Sequence, residues 1–350
     1  MDHVPQKGCR MTKLKFAFMG FRHGHIMSVV NLVNQRADAA IVAACEEDEA
    51  TRKIIQVEGK IVVTHDCLQT MLDQVPCDVV AVGDYYGRRG AIIIAALKQG
   101  KHVISDKPMC TSLSEWAIIR DLARTRRLTV GCQLDLRDNG ALLAMRDIIR
   151  KGEIGQIHAV SFNGEHPLNY GTRPAWYFEA GKHGGTINDI AIHAIDCIPW
   201  MTGLRFQTIN AARNWNARLP QVPHFKDAAQ MMLTLENGGG VLGDVSYLAP
   251  DSLGYALPQY WRMTFWGENG VLENTNGKQE VMLYKNGEQT PRAVPVNSAS
   301  SGGYLESFIR EIRGETHNLS VSSSEVLDSG RITLMIQVAA DRNLTNVPVE

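Results

Sequence analysis

Short apolar runs alternate with stretches of helical periodicity over the first 130 or so residues, and this rhythm constrains the fold more than any other feature. The predicted strands are Lys15–Met19, Ile41–Cys45, Asp78–Val82, His102–Ser105 and Leu128–Cys132. The helical patterns between them cover His25–Gln35, Cys67–Leu72, Arg88–Gln99 and Ser112–Arg124. Apolar strands separated by helices are typical of a parallel sheet covered by helices. The sequence therefore predicts a doubly wound α/β domain over residues 12–133.

The pattern changes after residue 133. A predicted helix over Ala141–Lys151 is followed by alternating segments that are joined by turns containing Asn-Gly, a strong hairpin signal. These segments are Gln156–Phe162, Thr208–Trp215, Ala228–Leu235, Gly240–Tyr247, Tyr260–Trp266 and Val281–Tyr284. Residues 291–303 are predicted to form a loop and Ser324–Arg342 an amphipathic helix. We expect an α+β domain over residues 134–350 with a large, mostly antiparallel sheet, whose last helix is a candidate for packing on the first domain.

Composition excludes several classes of protein. The chain has 350 residues with 36 Lys+Arg and 37 Asp+Glu, so no basic field is available to bind nucleic acid. No apolar run approaches the roughly 20 residues of a membrane span, and the N-terminus lacks the apolar segment of a secretion signal. The seven cysteines are scattered without a C-x-x-C pair, which argues against a disulfide framework or a zinc ribbon. We expect a cytoplasmic protein without a nucleic-acid or membrane partner.

The turn after the first strand is a degraded dinucleotide fingerprint. It reads Gly20-Phe21-Arg22-His23-Gly24-His25. The pattern G-x-G-x-x-G lets backbone amides at a helix N-terminus reach a diphosphate. Gly20 matches the first glycine, whereas Arg22 and His25 occupy the second and third positions. Arg22 could pair with phosphate oxygens instead; the alternative is an ordinary turn that contains glycines.

An acidic residue ends the second strand. Glu46, followed by Glu47 and Asp48, stands where a carboxylate can accept hydrogen bonds from the adenine-ribose hydroxyls. A carboxylate at this position repels a 2′-phosphate, so the sequence favours NAD over NADP. The alternative is a solvated acidic cluster.

Two distant motifs suggest a catalytic site. Lys107 precedes Pro108 at the carboxyl end of the fourth strand, the edge where open α/β sheets bind ligands. A second-half helix carries Asp189, His193 and Asp196 opposite an apolar stripe. That polar side has no long charged side chains, which favours a lined cleft over the alternative of a solvated helix face.

This set of residues suits the oxidation of an alcohol. His193 is the expected base, because a histidine titrates near neutral pH, and Asp189 is expected to orient its imidazole. Lys107 is expected to stabilise charge on the substrate oxygen. One histidine and two carboxylates on a single helix make a poor zinc site, so no metal is expected.

These motifs resemble the Gfo/Idh/MocA family, named after glucose–fructose oxidoreductase, inositol dehydrogenase and the rhizopine-catabolism protein MocA. The matching features are Asp106-Lys107-Pro108, the pair Gly184-Gly185 followed by Asp189-x-x-x-His193, and the glycine-containing first turn. The resemblance implies a Rossmann domain, a sheet domain that often mediates dimer or tetramer contacts, and a nicotinamide-dependent oxidoreductase. It implies that the enzyme oxidises a secondary hydroxyl of a sugar, glycoside or inositol, or runs the reverse, with Lys107 and His193 as acid and base and Asp189 in support.

Further contacts are expected around the two motifs. The expected cofactor contacts are Gly20, Phe21, Arg22, His23, Gly24, His25, Glu46, Asp84, Tyr86, Arg89, Asp106, Lys107 and Gln133. The expected substrate contacts are Arg137, Glu165, His166, Arg173, Trp176, Tyr177 and Asn188. Aromatic and charged side chains together suit a carbohydrate; for each substrate contact the alternative is a loop or core residue.

Two alternative functions remain open from sequence. One is a redox-neutral enzyme that retains NAD and converts a sugar through a transient keto intermediate, by elimination, epimerisation or glycoside cleavage. The other is a non-catalytic NAD-binding sensor, which the degraded glycine motif permits. A homodimer or homotetramer through the second-domain sheet is expected.

Overall fold

The first domain is built on a parallel sheet of five strands. The computed structural model describes residues 12–298 and 302–349, so the start of the chain and part of the predicted loop at 291–303 lie outside the described residues. The strands are β1 (Leu14–Met19), β2 (Ala39–Cys45), β3 (Val79–Val82), β4 (His102–Ser105) and β5 (Val130–Cys132). Their order is β2-β1-β3-β4-β5, and every neighbouring pair is parallel. The doubly wound prediction is confirmed.

Five α-helices connect these strands. They are α1 (Ile26–Asn34), α2 (Glu49–Glu58), α3 (Leu68–Gln74), α4 (Tyr86–Lys98) and α5 (Leu113–Arg126). The sequence prediction missed α2, because this helix buries a single residue, Ile55, and so shows little apolar periodicity. Both ends of α2 do carry residues that are typical of helix termini. Asp48 accepts a hydrogen bond from the Thr51 backbone N–H at the start, and Gly59 is left-handed at the end.

The second domain contains a sheet of nine strands. They are β6 (Ile157–Pro167), β7 (Phe206–Trp215), β8 (Ala228–Leu235), β9 (Gly240–Ala249), β10 (Arg262–Gly267), β11 (Gly270–Thr275), β12 (Glu280–Lys285), β13 (Arg292–Pro295) and β14 (Thr345–Pro348). The order is β13-β12-β11-β10-β6-β9-β8-β7-β14. All pairs are antiparallel except β6 with β9. The mostly antiparallel prediction is confirmed.

The sequence prediction missed three of these strands, β11, β13 and β14. Arg292–Pro295 falls inside the predicted loop, and that part of the loop prediction is wrong. Both β13 and β14 lie at the edges of the sheet, and neither has a fully buried residue. An edge strand without a buried face shows no alternation of apolar and polar residues.

Four helices complete the second half, and the last two contact both domains. They are α6 (Gly140–Arg150), α7 (Ile192–Thr202), α8 (Gly303–Ile312) and α9 (Ser323–Arg342). α8 places Tyr304, Leu305 and Phe308 in the core around the parallel sheet. α9 contributes Leu334 to that core and Ile336 to the core of the second domain. Among the described residues, none of the helices has the length and apolarity that a membrane span requires.

Candidate active site

The loop between β1 and α1 leaves room for a ligand at the N-terminus of α1. Gly20 has φ +80°, and a Cβ placed there would lie 2.6 Å from the Cβ of Asp84. Only glycine therefore fits this position. At Gly24 an added Cβ would meet nothing within 4 Å. Since helix N-termini favour anions, this open loop can hold a diphosphate despite the missing glycines.

The acidic end of β2 holds Arg22. Glu46 is fully buried and accepts hydrogen bonds from the backbone N–H groups of Phe21 (2.7 Å) and Asp48 (2.8 Å). Arg22 lies 3.0 Å from the Asp48 carboxylate and 3.6 Å from that of Glu46. Burial raises the pKa of Glu46. The structure thus places Arg22 beside carboxylates rather than at the phosphate position suggested by the sequence.

Asp106 forms the centre of a buried polar cluster below this loop. Its Oδ2 accepts hydrogen bonds from Nδ1 of His23 and from Arg89 Nη2, the latter at 2.8 Å. Arg89 also donates to the carbonyl oxygens of Lys107 (2.6 Å) and Asp84 (2.7 Å). Tyr86 donates to Nε2 of His23 over 3.2 Å. These bonds fix the loops after β1, β3 and β4 against one another.

The pKa values of His23 and Asp106 are both lowered, for different reasons. Burial lowers the pKa of His23 to about 4, although Asp106 opposes the shift. Burial would raise the pKa of Asp106, but the Arg89 guanidinium outweighs it and holds that pKa well below the usual range. Asp106 is therefore ionised and His23 neutral at pH 7.

Lys107 points from the end of β4 into the second domain. The Lys107–Pro108 peptide bond is cis. The ammonium of Lys107 donates to the Asp189 carboxylate over 2.8 Å and to the Asp189 carbonyl over 2.9 Å. Burial acts to lower the pKa of Lys107, but the adjacent Asp189 carboxylate overcomes it, and the net shift is upward. Lys107 is therefore a protonated donor at neutral pH.

The Asp189 carboxylate pairs with Lys107 and not with His193. Tyr247 donates to the second carboxylate oxygen of Asp189, and His183 lies 2.9 Å from the Tyr247 hydroxyl. The expected orientation of His193 by Asp189 is not seen. The reason is local: residues Ile187–Ala191 form a π-helical turn, so the α-helical alignment of positions four apart does not hold there. The sequence did not predict these contacts of Tyr247 and His183. The only signal for Tyr247 was the alternation of residues along β9, which puts it on the buried face of that strand.

His193 lies at the start of α7 beside an acidic residue from the first half. Its Nδ1 is 3.8 Å from the Asp135 carboxylate and has no hydrogen-bond partner among the described residues. The ring meets Trp261 edge to face at 5.5 Å. Burial, together with the charge of Lys107, holds the pKa of His193 well below its usual value. The imidazole is therefore neutral at pH 7 and able to accept a proton.

One cleft of about 1070 Å³ brings the two predicted motifs together. Its predicted members are His25, Lys107, Gln133, His166 and His193, and Asp135, Tyr260 and Trp261 line it as well. Buried atoms of three members, Gln133 Oε1, His166 Nδ1 and His193 Nδ1, lack hydrogen-bond partners among the described residues. A ligand with several hydroxyl groups could satisfy such atoms, because an unpaired buried polar atom is costly.

Arg137 is not among the residues that line this cleft. Its guanidinium makes two 2.7 Å hydrogen bonds to the Asp196 carboxylate. It also donates to the Ser320 carbonyl (2.6 Å) and to Glu325 (2.9 Å). Both partners of the central pair are almost fully buried. The structure thus gives Arg137 and Asp196 a packing role between α7 and α9, and Asp196 does not share the cleft with His193.

Three other expected substrate contacts are engaged within the second domain and at its junction with the first. Ser246 donates to the Glu165 carboxylate. Arg173 donates to the carbonyl oxygens of residues 167 and 168 and stacks over Tyr177 at 4.6 Å. Asn188 donates to the Cys110 carbonyl over 3.0 Å. None of the three lines the large cleft.

An aromatic cluster joins the two domains beside the β1–α1 loop. Trp176 donates from its indole N–H to the Arg22 carbonyl over 3.0 Å. The hydroxyls of Tyr86 and Tyr177 are 2.8 Å apart. Tyr86, Trp176 and Tyr177 form a small apolar cluster of their own. These side chains therefore lie against the loop that begins the cofactor motif.

Family comparisons agree with this architecture over most of the chain. The family model for an NAD-binding Rossmann-fold oxidoreductase family, GFO/IDH/MocA, matches residues 14–134, and that for the GFO/IDH/MocA C-terminal domain matches residues 142–273. A levoglucosan dehydrogenase of Pseudarthrobacter phenanthrenivorans is 27% identical over 51% of this chain and 45% of its own length. An inositol 2-dehydrogenase of Saccharopolyspora erythraea is 26% identical over 66% of this chain and 64% of its own length. The chain thus matches about half to two thirds of these curated relatives.

Solved structures share the whole fold. A candidate oxidoreductase of Thermotoga maritima has a TM-score of 0.83 at 25% identity, covering 96% of this chain and 100% of its own. An inositol dehydrogenase homologue of Azotobacter vinelandii, solved with NAD+, has a TM-score of 0.77 at 17% identity, covering 96% and 97%. Both domains and their connection are therefore common to this chain and these proteins.

Proposed function

The chain belongs to the Gfo/Idh/MocA family of NAD-binding oxidoreductases, and we propose that it oxidises a secondary hydroxyl of a sugar, glycoside or inositol to a ketone, or catalyses the reverse. The observation that carries the proposal is the convergence of Lys107 and His193, from different domains, on one cleft. The names of the relatives support this substrate class, since they act on levoglucosan and inositol.

The residues around the parallel sheet fit a dinucleotide. The open N-terminus of α1 at Gly24 would hold the diphosphate, and Glu46, directly after β2, would accept hydrogen bonds from the adenine ribose. Gln133, whose buried Oε1 has no partner among the described residues, can accept a hydrogen bond from a carboxamide. NAD, when bound, takes up or supplies the hydride of the reaction.

We propose NAD over NADP on the charge at the end of β2. The Glu46 and Asp48 carboxylates lie together there, and Arg22 is already paired with both. A 2′-phosphate would meet two carboxylates and no free cation from this set. The variant Glu46→Gln tests this assignment. We expect its ratio of NADP affinity to NAD affinity to be higher than that of the parent; an unchanged ratio would argue against the assignment.

Lys107 and His193 have separate roles: Lys107 donates a hydrogen bond, and His193 accepts the proton. Because Lys107 stays protonated beside Asp189, it can donate a hydrogen bond to the substrate oxygen and stabilise negative charge there. The neutral imidazole of His193 can take the hydroxyl proton. Asp135, 3.8 Å from Nδ1, favours the imidazolium that results. In ketone reduction the same proton returns to the oxygen.

A substrate panel tests this function directly. Purified protein with NAD is assayed for NADH across sugars, glycosides and inositols, and the active substrate is then used with Lys107→Ala and His193→Ala. Each substitution is expected to reduce kcat by at least about a hundredfold. Lys98→Ala and His158→Ala, at exposed positions, serve as matched controls.

Each outcome of the panel is informative. If the two variants keep the parent turnover, the roles assigned to Lys107 and His193 are wrong. If purified protein carries NAD and forms product without net NADH, the redox-neutral alternative is supported instead. If no substrate changes and no NADH forms, the proposal fails.

We also propose assembly through the outer face of the nine-stranded sheet. Met232 and Leu242 are paired across β8 and β9 and are half exposed, and Trp266 and Tyr284 add exposed aromatic area further along the sheet. Apolar surface of this kind is typical of interfaces. Light scattering is expected to show a dimer or tetramer that Leu242→Glu dissociates, whereas a monomeric parent would refute the assembly.

A further inference from the structure

Two imidazoles and a carboxylate meet at the start of α1. His23 and His25 come from the β1–α1 loop and Asp106 from the end of β4. One ligating atom from each of the three side chains lies within 4.8 Å of the other two. In the sequence, only the helix that carries His193 offered a candidate set of metal ligands, and that set was a poor one. The structure places these other potential ligands together instead.

One oxygen of Asp106 receives no hydrogen bond of normal length from the described residues. Oδ2 is bound by His23 and Arg89, whereas Oδ1 is buried without a hydrogen-bond partner. That oxygen lies 3.6 Å from Nδ1 of His25. Two ligand atoms about 2.0–2.2 Å from one metal ion are about 3–3.6 Å apart in tetrahedral or octahedral geometry, so this pair is already near the required spacing.

We propose that His23, His25 and Asp106 form a binding site for one divalent transition-metal ion of the zinc or iron type. Two imidazoles with one carboxylate are a ligand set for such ions, whereas Mg²⁺ and Ca²⁺ prefer sets made of oxygen atoms. On binding, Nδ1 of His23 exchanges its hydrogen bond to Asp106 for a bond to the ion. The ion also gives Oδ1 of Asp106 its missing partner.

The surroundings allow an ion with open positions. Arg89 engages Oδ2, the other oxygen of Asp106, and leaves Oδ1 accessible to the ion. His25 is half exposed and lines the same cleft as Lys107 and His193. Coordination positions not filled by the protein therefore face this cleft, where water or a hydroxyl group can occupy them. Asp135, also on the cleft wall, adds a negative charge that offsets part of the positive charge of Arg89 and the metal ion.

Direct binding measurements test the site without any assay of turnover, so the result is independent of the proposed dehydrogenase reaction. The full chain without a histidine tag is stripped with EDTA and dialysed. Zn²⁺ is then titrated by calorimetry, and Co²⁺ is followed by its visible ligand-field absorption. We expect one ion per chain and an absorption typical of nitrogen and oxygen ligands.

Variants locate the ion. His25→Ala changes a half-exposed ligand and leaves the buried Asp106–Arg89 pair intact, so the fold is retained. We expect it to weaken Zn²⁺ binding by about a hundredfold, since even changes in residues around ligands cost about 10–100-fold. His158→Ala, at an exposed histidine of β6, is the control and should bind like the parent.

The proposal is overturned by either of two results. One is the absence of saturable Zn²⁺ and Co²⁺ binding to the parent. The other is binding that His25→Ala leaves unchanged, because the ion then lies elsewhere.

Discussion

Replacing Arg137 by methionine separates a packing role from a substrate role for this residue. The substitution leaves the Asp196 carboxylate buried, with Ser329 still donating to it over 2.9 Å. It also removes the donor to Glu325 at the start of α9 and the cation that lies 5.5 Å from the Trp200 ring. Arg137 thus holds α7, α9 and the segment before α6 together.

The expected loss of folding stability is large. Breaking a buried ion pair by removing one partner costs about 3–5 kcal/mol, against a total stability of about 5–15 kcal/mol for a typical protein. Arg137→Met should therefore lower the urea midpoint strongly. Trp200, directly against the guanidinium, provides the fluorescence signal for the unfolding of this region.

Two controls sharpen the experiment. Arg205→Met removes an arginine from an exposed pair with Glu236 and should leave the midpoint unchanged. The double variant Arg137→Met with Asp196→Leu removes both charges and should regain much of the lost stability. Below the unfolding range, KM for the panel substrate should match that of the parent. Parent-like stability with a raised KM for Arg137→Met would refute the packing role.

Gly20→Ala should destabilise the fold by at least about 1–2 kcal/mol and weaken NADH binding, because Gly20 has φ +80° and no room for a Cβ; Gly24→Ala, with open space, should keep the parent melting temperature. The acid limb of kcat/KM should lie below pH 6.5, because the pKa of His193 is lowered and the base stays neutral until the pH falls through that value; a midpoint at or above 6.5 would contradict this. Burial raises the pKa of Glu165 to about 7, so the folded protein loses stability as pH rises from about 4.5 to 7. Glu165→Gln should then be more stable by about 1–2 kcal/mol at pH 8, after allowance for partial exposure, and equal to the parent at pH 4, as measured by urea denaturation.

The sequence was most informative where burial is continuous. The five strands of the first sheet lie between helices, so each appears as an apolar run, and all five were predicted. Edge strands such as Arg292–Pro295 were not, because a strand without a buried face has no such pattern. The family assignment, which relied on Lys107 and on the Asp189-x-x-x-His193 motif, is confirmed by the matches to both domains.

Side-chain partners were harder to predict than positions. Lys107 and His193 were expected at one cleft, and the structure places both there. The predicted pairing of Asp189 with His193 is wrong. Positions four apart align in an α-helix, but not across the π-helical turn that contains Asp189. Arg137 comes shortly after β5 and was expected to contact substrate. Its partner is instead Asp196, from the helix that carries His193. Pairings over such sequence distances depend on tertiary packing, which local periodicity does not encode.

The position of α8 has a consequence for how the chain folds during synthesis. Phe308 packs directly on Gly131 of β5, where an added Cβ would come within 2.7 Å of its ring. The ribosome therefore completes every strand of the parallel sheet long before it makes the helix that covers the β5 side. Until then the nascent domain exposes an apolar surface, and we expect a fragment that ends at residue 133 to aggregate more readily than the full chain.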